Sequence, residues 1–491
     1  MKVTGYRCLR SYHDWGRPVG DVNGFVASGR TEITIVLIET DVGITGIGTG
    51  AAHDLERLFP AIEGQDPRGT SALYERMLAR VFKTGHGGAT SLGIGILDSA
   101  LWDLKAKALD EPLWRLLGAR DRFVAGYASG LDIALDDGRL AGLYREMASR
   151  GFTSGKLKGG LDADTDIRRL GIIADELRRN TPHPGLMLDV NESWNLKQAV
   201  RHVGRVEAVH DLAWIEEPLR RWDARGHARL SRAIRAGVAT GENLSGLEQY
   251  TPLLDAGGVD VVQAGCGFGI SHFLRVAYAA HSRDLPVSPV GLTLNSAIAH
   301  AAAAVPNHLS AEVQDLGTPF GLRIDQEFTD GGILLGEEPG SGIFVDDWDT
   351  QYDAAQAHTD FYLHTLSEYL QHFNGRAATY IGEVPGGIQG PPSSATPDGF
   401  QHLRQALGLK THVGEGGSVR LTPQGFEPID GVLDYLQPNF IGVRTADALY
   451  RCFGRNAFGA PVGMAIHLFL DDVDPEPIKR EWQGWMDTAL A

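Results

Sequence analysis

The chain has 491 residues, 43% hydrophobic and 22% charged, and a formal net charge of −17. That length exceeds one ordinary core, since a domain takes about 150 residues and an α/β barrel about 250. The acidic balance speaks against nucleic acid and anionic membrane as partners, and an anionic substrate would need a metal or lysines beside it. Cys8, Cys266 and Cys452 are too scattered for a disulfide framework or a Cys-x-x-Cys metal site. Residues 1–16 hold no apolar core of signal-peptide length, and the most apolar run, 297–305, is interrupted by His300 and shorter than a membrane span. A cytoplasmic protein is expected.

The first elements are strands, then helices. Residues 31–40 (TEITIVLIET) alternate and are β-branched, and 43–50 follow as a glycine-rich turn and strand. Residues 71–81 and 91–108 read as helices, the second with Ile94, Leu97, Leu101 and Leu104 at helical spacing. This predicts an N-terminal α+β domain over residues 1–123. From Val124 short apolar runs alternate with amphipathic helical runs: 156–158, 186–190, 212–215, 237–239, 259–262, 287–290 and 310–313. So many strand–helix units in a row favour a closed parallel barrel over an open sheet, here 124–354. A further α+β domain, 355–491, is expected to hold a helix at 359–373, strands near 418–421, 431–436, 440–444 and 463–469, and a final helix carrying Trp482 and Trp485.

In a parallel barrel the side chains that end the strands gather on one face. Lys156 and Lys158, Asp189, Glu216 and Glu242 each end a predicted strand. The steps are 31 residues from Lys158 to Asp189, 27 to Glu216 and 26 to Glu242. Each is the length of one strand–helix unit, so these groups should stand side by side. Three carboxylates in a poorly solvated mouth repel one another by several kcal/mol unless a hard cation joins them. Mg²⁺ fits, with Asp189, Glu216 and Glu242 as its ligands. Lys156 and Lys158 lie on one side of their strand. Each disfavours the other's charge, which should lower a lysine toward the working range of a general base. Glu217, beside Pro218, reads as a cap or surface charge.

At these residues the chain resembles the enolase superfamily, in its mandelate racemase/muconate-lactonizing enzyme branch. The resemblance spans residues 1–350 and rests on LDSALWDLKAK (97–107), PLWRLLG (112–118), Lys156-Leu-Lys158, LDVN (188–191), WIEEP (214–218) and TGEN (240–243). It implies a (β/α)₇β TIM-like barrel of the α/β class with an N-terminal α+β capping domain, and Mg²⁺-assisted removal of the proton α to a carboxylate through an enediolate. It also implies a small-molecule carboxylate substrate and a homo-oligomer. Glu242 at the third ligand position points to the mandelate racemase subgroup. Glu312 matches the family's carboxylic acid that hydrogen-bonds the enediolate, a role that suits a protonated group; a salt bridge is the competing reading.

That subgroup carries a second base, a His on the seventh strand paired with an Asp on the sixth. Here those positions are Val290 and Gly265. Racemisation needs an acid–base group on each face, so a one-base reaction fits better. The leading expectation is syn-dehydration of a hydroxy acid such as a sugar acid, with Lys158 as base and the same residue, or a water on the metal, as acid. The alternatives are a racemase, epimerase or cycloisomerase with an unidentified second acid, and a non-catalytic, metal-stabilised ligand-binding protein. Cys266, beside Gly265, is a candidate opposite acid or a small residue at a crowded strand end. Asn191 reads as a substrate contact or as the cap of the next helix. Substrate selection should come from the capping domain, with Trp15 and Phe25 in the loop 14–29 as lid residues and 51–54 as the second segment; His53 and His86 read as solvated loop histidines ahead of substrate contacts. In the last domain, residues 431–436, 440–445 and 448–451 and the Trp-bearing helix resemble SRPBCC (START-like, helix-grip) domains of the Hsp90-activator-homologue type. Such domains wrap a sheet around a long helix and often hold an apolar ligand. A packing or oligomerisation module is the other reading.

Overall fold

The computed structural model of the chain describes residues 1–84, 87–292, 297–345, 348–384, 396, 398–409, 413–458 and 461–490. They fall into two compact units, Met1–Asp346 and Asp347–Ala491. His86 lies outside the described residues.

The first unit opens with β1 (Val3–Asp14), a small hairpin of β2 (Val19–Asp21) and β3 (Gly24–Val26), then β4 (Arg30–Thr40) and β5 (Gly46–Gly50). β1, β4 and β5 form an antiparallel sheet in that order. β1 escapes sequence reading because it has no apolar alternation: of its twelve residues only Val3, Ser11 and His13 are buried. Helices α1 (Thr70–Val81) and α2 (Ala89–Lys107) follow.

The barrel runs β6 (Phe123–Ala128), α3 (Asp137–Ser149), β7 (Ser154–Lys158), α4 (Ala163–Leu177), β8 (Gly185–Asp189), α5 (Leu196–Val206), β9 (Leu212–Glu216), α6 (Ala224–Ser231), β10 (Gly237–Thr240), α7 (Leu247–Asp255), β11 (Val261–Gly265), α8 (Ile270–His281), β12 (Val287–Val290), α9 (Ile298–Ala304) and β13 (Ala311–Val313). Neighbouring strands from β6 to β12 pair in parallel, β13 pairs with β6, and parallel bridges Val287–His308 and Leu292–Val313 close the ring between β12 and β13. A hairpin of β14 (Gln326–Thr329) and β15 (Gly332–Leu335) follows, with β15 antiparallel to β6. Each strand alternates. Leu157, Leu188, Ile215, Val238 and Val262 face the helices, while Tyr127, Met187, Trp214, Ala239 and Val261 fill the barrel interior. Side-chain caps start the helices right after the mouth loops. Asp136 accepts from the Arg139 N–H, Asp162 from Thr165 and Asp223 from Gly226, and Asn195 forms a capping box with Gln198. Each cap stabilises its helix by about 1 kcal/mol.

α2 packs between the cap sheet and the barrel and buries two carboxylates. Asp98 accepts from the Ser271 N–H (2.7 Å) and hydroxyl (2.6 Å) at the start of α8. Asp103 accepts from Ile47 N (2.8 Å) and Ser341 N (2.7 Å) and pairs with Lys107 (2.7 Å). Burial raises the Asp98 carboxyl to about 7 against these donors. A carboxyl raised on folding contributes stability below its unfolded pKa, and that stability is lost as pH rises through the folded value. The unsubstituted chain should therefore weaken relative to Asp98→Asn between about pH 4 and pH 8, by on the order of a few kcal/mol. Urea midpoints that keep the same gap at both ends would refute this.

The second unit starts with α10 (Trp348–His372), whose first turns precede residue 355. β16 (Thr379–Val384), α11 (Gly399–Ala406), β17 (Ser418–Leu421), β18 (Ile429–Gln437), β19 (Phe440–Arg444), β20 (Ala448–Phe453), β21 (Gly463–Leu468) and α12 (Pro475–Ala489) follow. The strands form one antiparallel sheet in the order β16–β21–β20–β19–β18–β17. One face packs against Trp482, Trp485 and Met486 of α12 and Phe400 and Leu403 of α11. The other carries Phe440, Phe453 and Ala465 against Phe361 of α10.

Candidate active site

The strand ends meet as their spacing requires. Register places Lys158 beside Asp189 and Asp189 beside Glu216 across β7, β8 and β9. Lys156, Lys158, Asp189 and Glu216 are all buried, and Glu242 is half-buried just past β10. The Lys156 ammonium donates to Glu216 and lies 2.6 Å from Glu312 and 3.3 Å from Asp189. The Lys158 ammonium donates to Asp189. Backbone is held as well as side chain. Asp132 accepts from the Lys158 N–H at 3.1 Å, and the Tyr144 hydroxyl donates to the Lys156 carbonyl. Trp214 Nε1 donates to Glu216 at 3.1 Å and fixes its second oxygen.

The charges here are unbalanced. Asp189, Glu216, Glu217, Glu242 and Glu312 face two ammoniums. Burial, with Asp189, Glu312 and Glu242 nearby, raises Glu216 to about 8 despite Lys156. Burial and Glu217 hold Glu242 well above the carboxylate range. Among the described residues no three carboxylate, imidazole or thiol groups converge on one chelating point, and Lys156 bridges three carboxylates instead. The donor set fits Mg²⁺ nonetheless: hard oxygens, an excess of negative charge, and three successive strand ends to supply ligands.

Three expectations need correction. Lys158 is not depressed. Burial and Lys156 push it down, but Asp189, helped by Glu312 and Glu242, outweighs them and its pKa is raised; engaging that carboxylate elsewhere removes the largest raising influence. Glu312 is an ionised salt-bridge partner rather than a neutral acid. Burial pushes it up, and the two lysines, with the Gly291 N–H at 2.7 Å, bring it below the ordinary glutamate range. Glu217 is no surface charge. It is 2% exposed, takes a left-handed φ of 42°, and accepts from Asn243 at 2.8 Å and Asn191 at 3.3 Å, with burial and Asp189 raising it to about 8. Nothing in Glu216-Glu217-Pro218 signalled that both carboxylates would be buried.

Asn191 does not cap α5, which Asn195 does. Its N–H donates to Asp189 at 3.0 Å, and its buried Oδ1 has no partner among the described residues. The vacated dyad positions have a steric logic. A Cβ at Gly265 would stand 2.5 Å from the Glu242 carbonyl oxygen, so an Asp there would force apart the strand end that carries Glu242. Val290 is buried at the matching end of β12. The Cys266 thiol donates to the Gly291 carbonyl at 3.0 Å, and burial, then Glu312, pushes it up to about 12.

A cavity of about 280 Å³ lies between the cap sheet and the ends of β11–β13. Its lining includes His13, Trp15, Thr49, Cys266, Gly291 and Gln314. Trp15 is half-buried and donates to Thr31 at 2.9 Å, whereas Phe25 and His53 are exposed. The β2–β3 hairpin reaches the mouth, where Gly20 N donates to Leu131 O (2.9 Å) and Asn23 Nδ2 to the Asn191 carbonyl (3.3 Å). Two residues here had no sequence signal. His13, on β1, pairs through Nε2 with Asp315, and its Nδ1 has no partner among the described residues. Arg17, half-buried in the same loop, is lowered by burial against the pull of Asp315 and Asp132.

Comparison with known proteins bears on this geometry. The mandelate racemase/muconate lactonizing enzyme N-terminal domain matches residues 22–118, and the enolase C-terminal domain-like family matches 139–350. The 3,6-anhydro-alpha-L-galactonate cycloisomerase of Streptomyces coelicolor is 31% identical over 64% of this chain and 89% of its own length. The L-talarate/galactarate dehydratase of Salmonella typhimurium is 32% identical over 60% and 75%. The crystal structure of L-talarate dehydratase from Polaromonas sp. JS666, complexed with Mg and L-glucarate, aligns with a TM-score of 0.61 at 27% identity, over 70% of this chain and 95% of that one. No helix among the described residues is long and apolar enough to cross a membrane.

Proposed function

Because this chain belongs to the mandelate racemase/muconate-lactonizing enzyme branch of the enolase superfamily, we propose that it removes the proton α to the carboxylate of a sugar acid and expels the oxygen on the neighbouring carbon. The observation that supports this reading is the asymmetry of the site. One side carries Lys158 on a built platform; the other is closed by Gly265, Val290 and a capped Cys266 thiol.

Asp189, Glu216 and Glu242 would hold Mg²⁺, which supplies positive charge where the substrate carboxylate becomes more negative. Neutral Lys158 takes the α-proton, and the C–H electron pair becomes a carbon–carbon double bond as the β-carbon–oxygen bond breaks. The Lys158 ammonium then returns its proton to the departing oxygen, on the same face. That oxygen leaves as water or, where it closes a ring, stays as a hydroxyl of the opened chain. The enol left behind rearranges to a 2-keto acid. Dehydration and ring-opening cycloisomerisation are thus one elimination on two substrates. Lys156, pinned by Glu216 and Glu312, keeps a fixed positive charge beside the reacting carboxylate.

A library of aldarates, anhydroaldonates and aldarolactones, incubated in D₂O with Mg²⁺ or with chelator, tests this. The expected result is metal-dependent loss of water or ring opening, with deuterium in the product. No exchange on any member would favour a ligand-binding protein.

Isomerisation through an acid on the opposite face is favoured by one observation, the His13–Asp315 pair beside Cys266 and Gly291. If His13 is that acid, His13→Asn should abolish epimerised product and leave Lys158-dependent exchange intact. Unchanged product stereochemistry removes His13 from the chemistry.

A further inference from the structure

In the proposed chemistry the reacting carboxylate meets the ends of β7–β10, where Lys156, Lys158, Asp189 and Glu216 stand together with Glu242. The rest of the substrate then lies in the cavity of about 280 Å³ across the mouth, at the ends of β11–β13. The two regions adjoin. The Gly291 N–H in the cavity wall donates to Glu312 at 2.7 Å, and Glu312 stands 2.6 Å from the Lys156 ammonium. What lines the cavity therefore decides what the far end of the substrate can be.

Among the described residues no lysine or arginine lines this cavity. The remaining positions of the first unit, 85–86, 293–296 and 346, contain neither residue. His13 enters the wall paired with Asp315, and that couple is never net positive, whichever protonation state the imidazole holds. Glu32 adds an acidic group at the rim, 3.9 Å from Arg10 with both side chains exposed. Arg17 is no substitute for a cation in the wall. It lies outside the lining, its guanidinium rests 5.6 Å from the Trp15 ring centre, and its Nη2 is buried. Asp315 and Asp132 already draw on its charge. The other surfaces are neutral. Ile33, Ile47, Ile298 and Ile343 supply apolar contact, and Thr49, Ser99 and Gln314 supply hydroxyl and amide groups. A carboxylate moved against this wall would lose its water and gain no charged partner. A hydroxyl, a ring ether or a lactone exchanges its water for the neutral groups at little cost.

We propose that the substrate is a sugar acid with a single carboxylate, held at the metal end, and that the cation-free cavity beside His13 and Gln314 selects an uncharged tail and rejects dicarboxylates. The inference rests on the elimination proposed above and narrows its substrates to aldonates, anhydroaldonates and aldarolactones, setting open-chain aldarates aside. Specificity here comes from what the wall withholds as much as from what it offers.

The test is kcat/KM of the full-length protein with Mg²⁺ on a set of aldarates, each matched with the aldonate of the same configuration and with its own monolactone, plus anhydroaldonates. The best monocarboxylate should exceed the best aldarate at least about 100-fold. Ile33→Lys places an ammonium on the half-buried wall, with its stem along the isoleucines, and should narrow that gap at least about tenfold. Thr49→Lys adds the same charge from the neighbouring strand and serves if the first variant does not fold, as judged by its melting temperature. Arg17→Gln should leave the gap unchanged. A smaller gap in the unsubstituted protein, with deuterium exchange present, overturns the inference and leaves the elimination standing. So does an undiminished gap in a folded lysine variant. Aldarate turnover that is lost selectively in Arg17→Gln overturns it too and assigns the tail carboxylate to Arg17. No exchange on any compound removes the elimination itself, and this inference with it.

Discussion

Replacing Lys158 with alanine should abolish deuterium exchange at the substrate's α-carbon and lower turnover by about 10²–10⁴-fold, the usual worth of a positioned base. The fold should survive. The backbone of residue 158 is held by Asp132 rather than by the ammonium, and Asp189 keeps Lys156 at 3.3 Å. Magnesium should still raise the melting temperature of this variant, because the ammonium that competes for Asp189 is gone. That combination separates a lost base from a lost metal site. Exchange that persists in Lys158→Ala would remove this residue from the chemistry and shift attention to Lys156, whose two close carboxylates leave it a poor base.

Glu216→Gln tests the metal reading with effects of opposite sign. The amide keeps the volume and an acceptor for Trp214 Nε1, but loses the anionic ligand. Turnover should fall at least about 10³-fold, and the stabilisation by magnesium should shrink to a small fraction. The same variant without metal should melt higher near pH 7 than the unsubstituted chain, because burial, then the neighbouring carboxylates, raise the Glu216 carboxyl to about 8, and an amide avoids the cost of protonating it on folding. A melting temperature that falls in the metal-free state, with the magnesium response intact, would place Glu216 among structural salt-bridge partners.

The legible parts of this protein are those where one residue reports one position. Strand-end residues such as Asp189 and Glu216 could be read because βα units repeat at nearly fixed length and strands alternate with period two. The helix at residues 89–107 announced itself by apolar spacing, though not by the two carboxylates it buries. The illegible parts depend on pairs brought together from afar. His13 and Asp315 stand 302 residues apart, and Arg451 meets Asp434 only across a sheet. β1 was missed because its exposed residues outnumber its buried ones. Lysine charge was misjudged because the facing carboxylates, Asp189 first, and not only the neighbouring lysine, decide it. Gly265 illustrates a subtler limit. Its absence of a side chain read as a lost catalytic group, whereas the structure shows that the space itself is taken by the Glu242 backbone.

The sheet order of the second unit has a consequence during synthesis. Among the described residues β16 pairs with β21 alone, Thr379 against Leu468, a separation of 89 residues. At about 5–20 residues per second, a ribosome needs roughly 4–18 s to deliver that partner. Throughout that interval Thr379–Val384 is a nascent strand without a neighbour, while the barrel's last strand, Ala311–Val313, has long since been made and can close on the first. The tail is therefore the portion most exposed to chaperones and proteases at birth. A premature stop between Val384 and Gly463 leaves a complete barrel attached to an open, aggregation-prone edge.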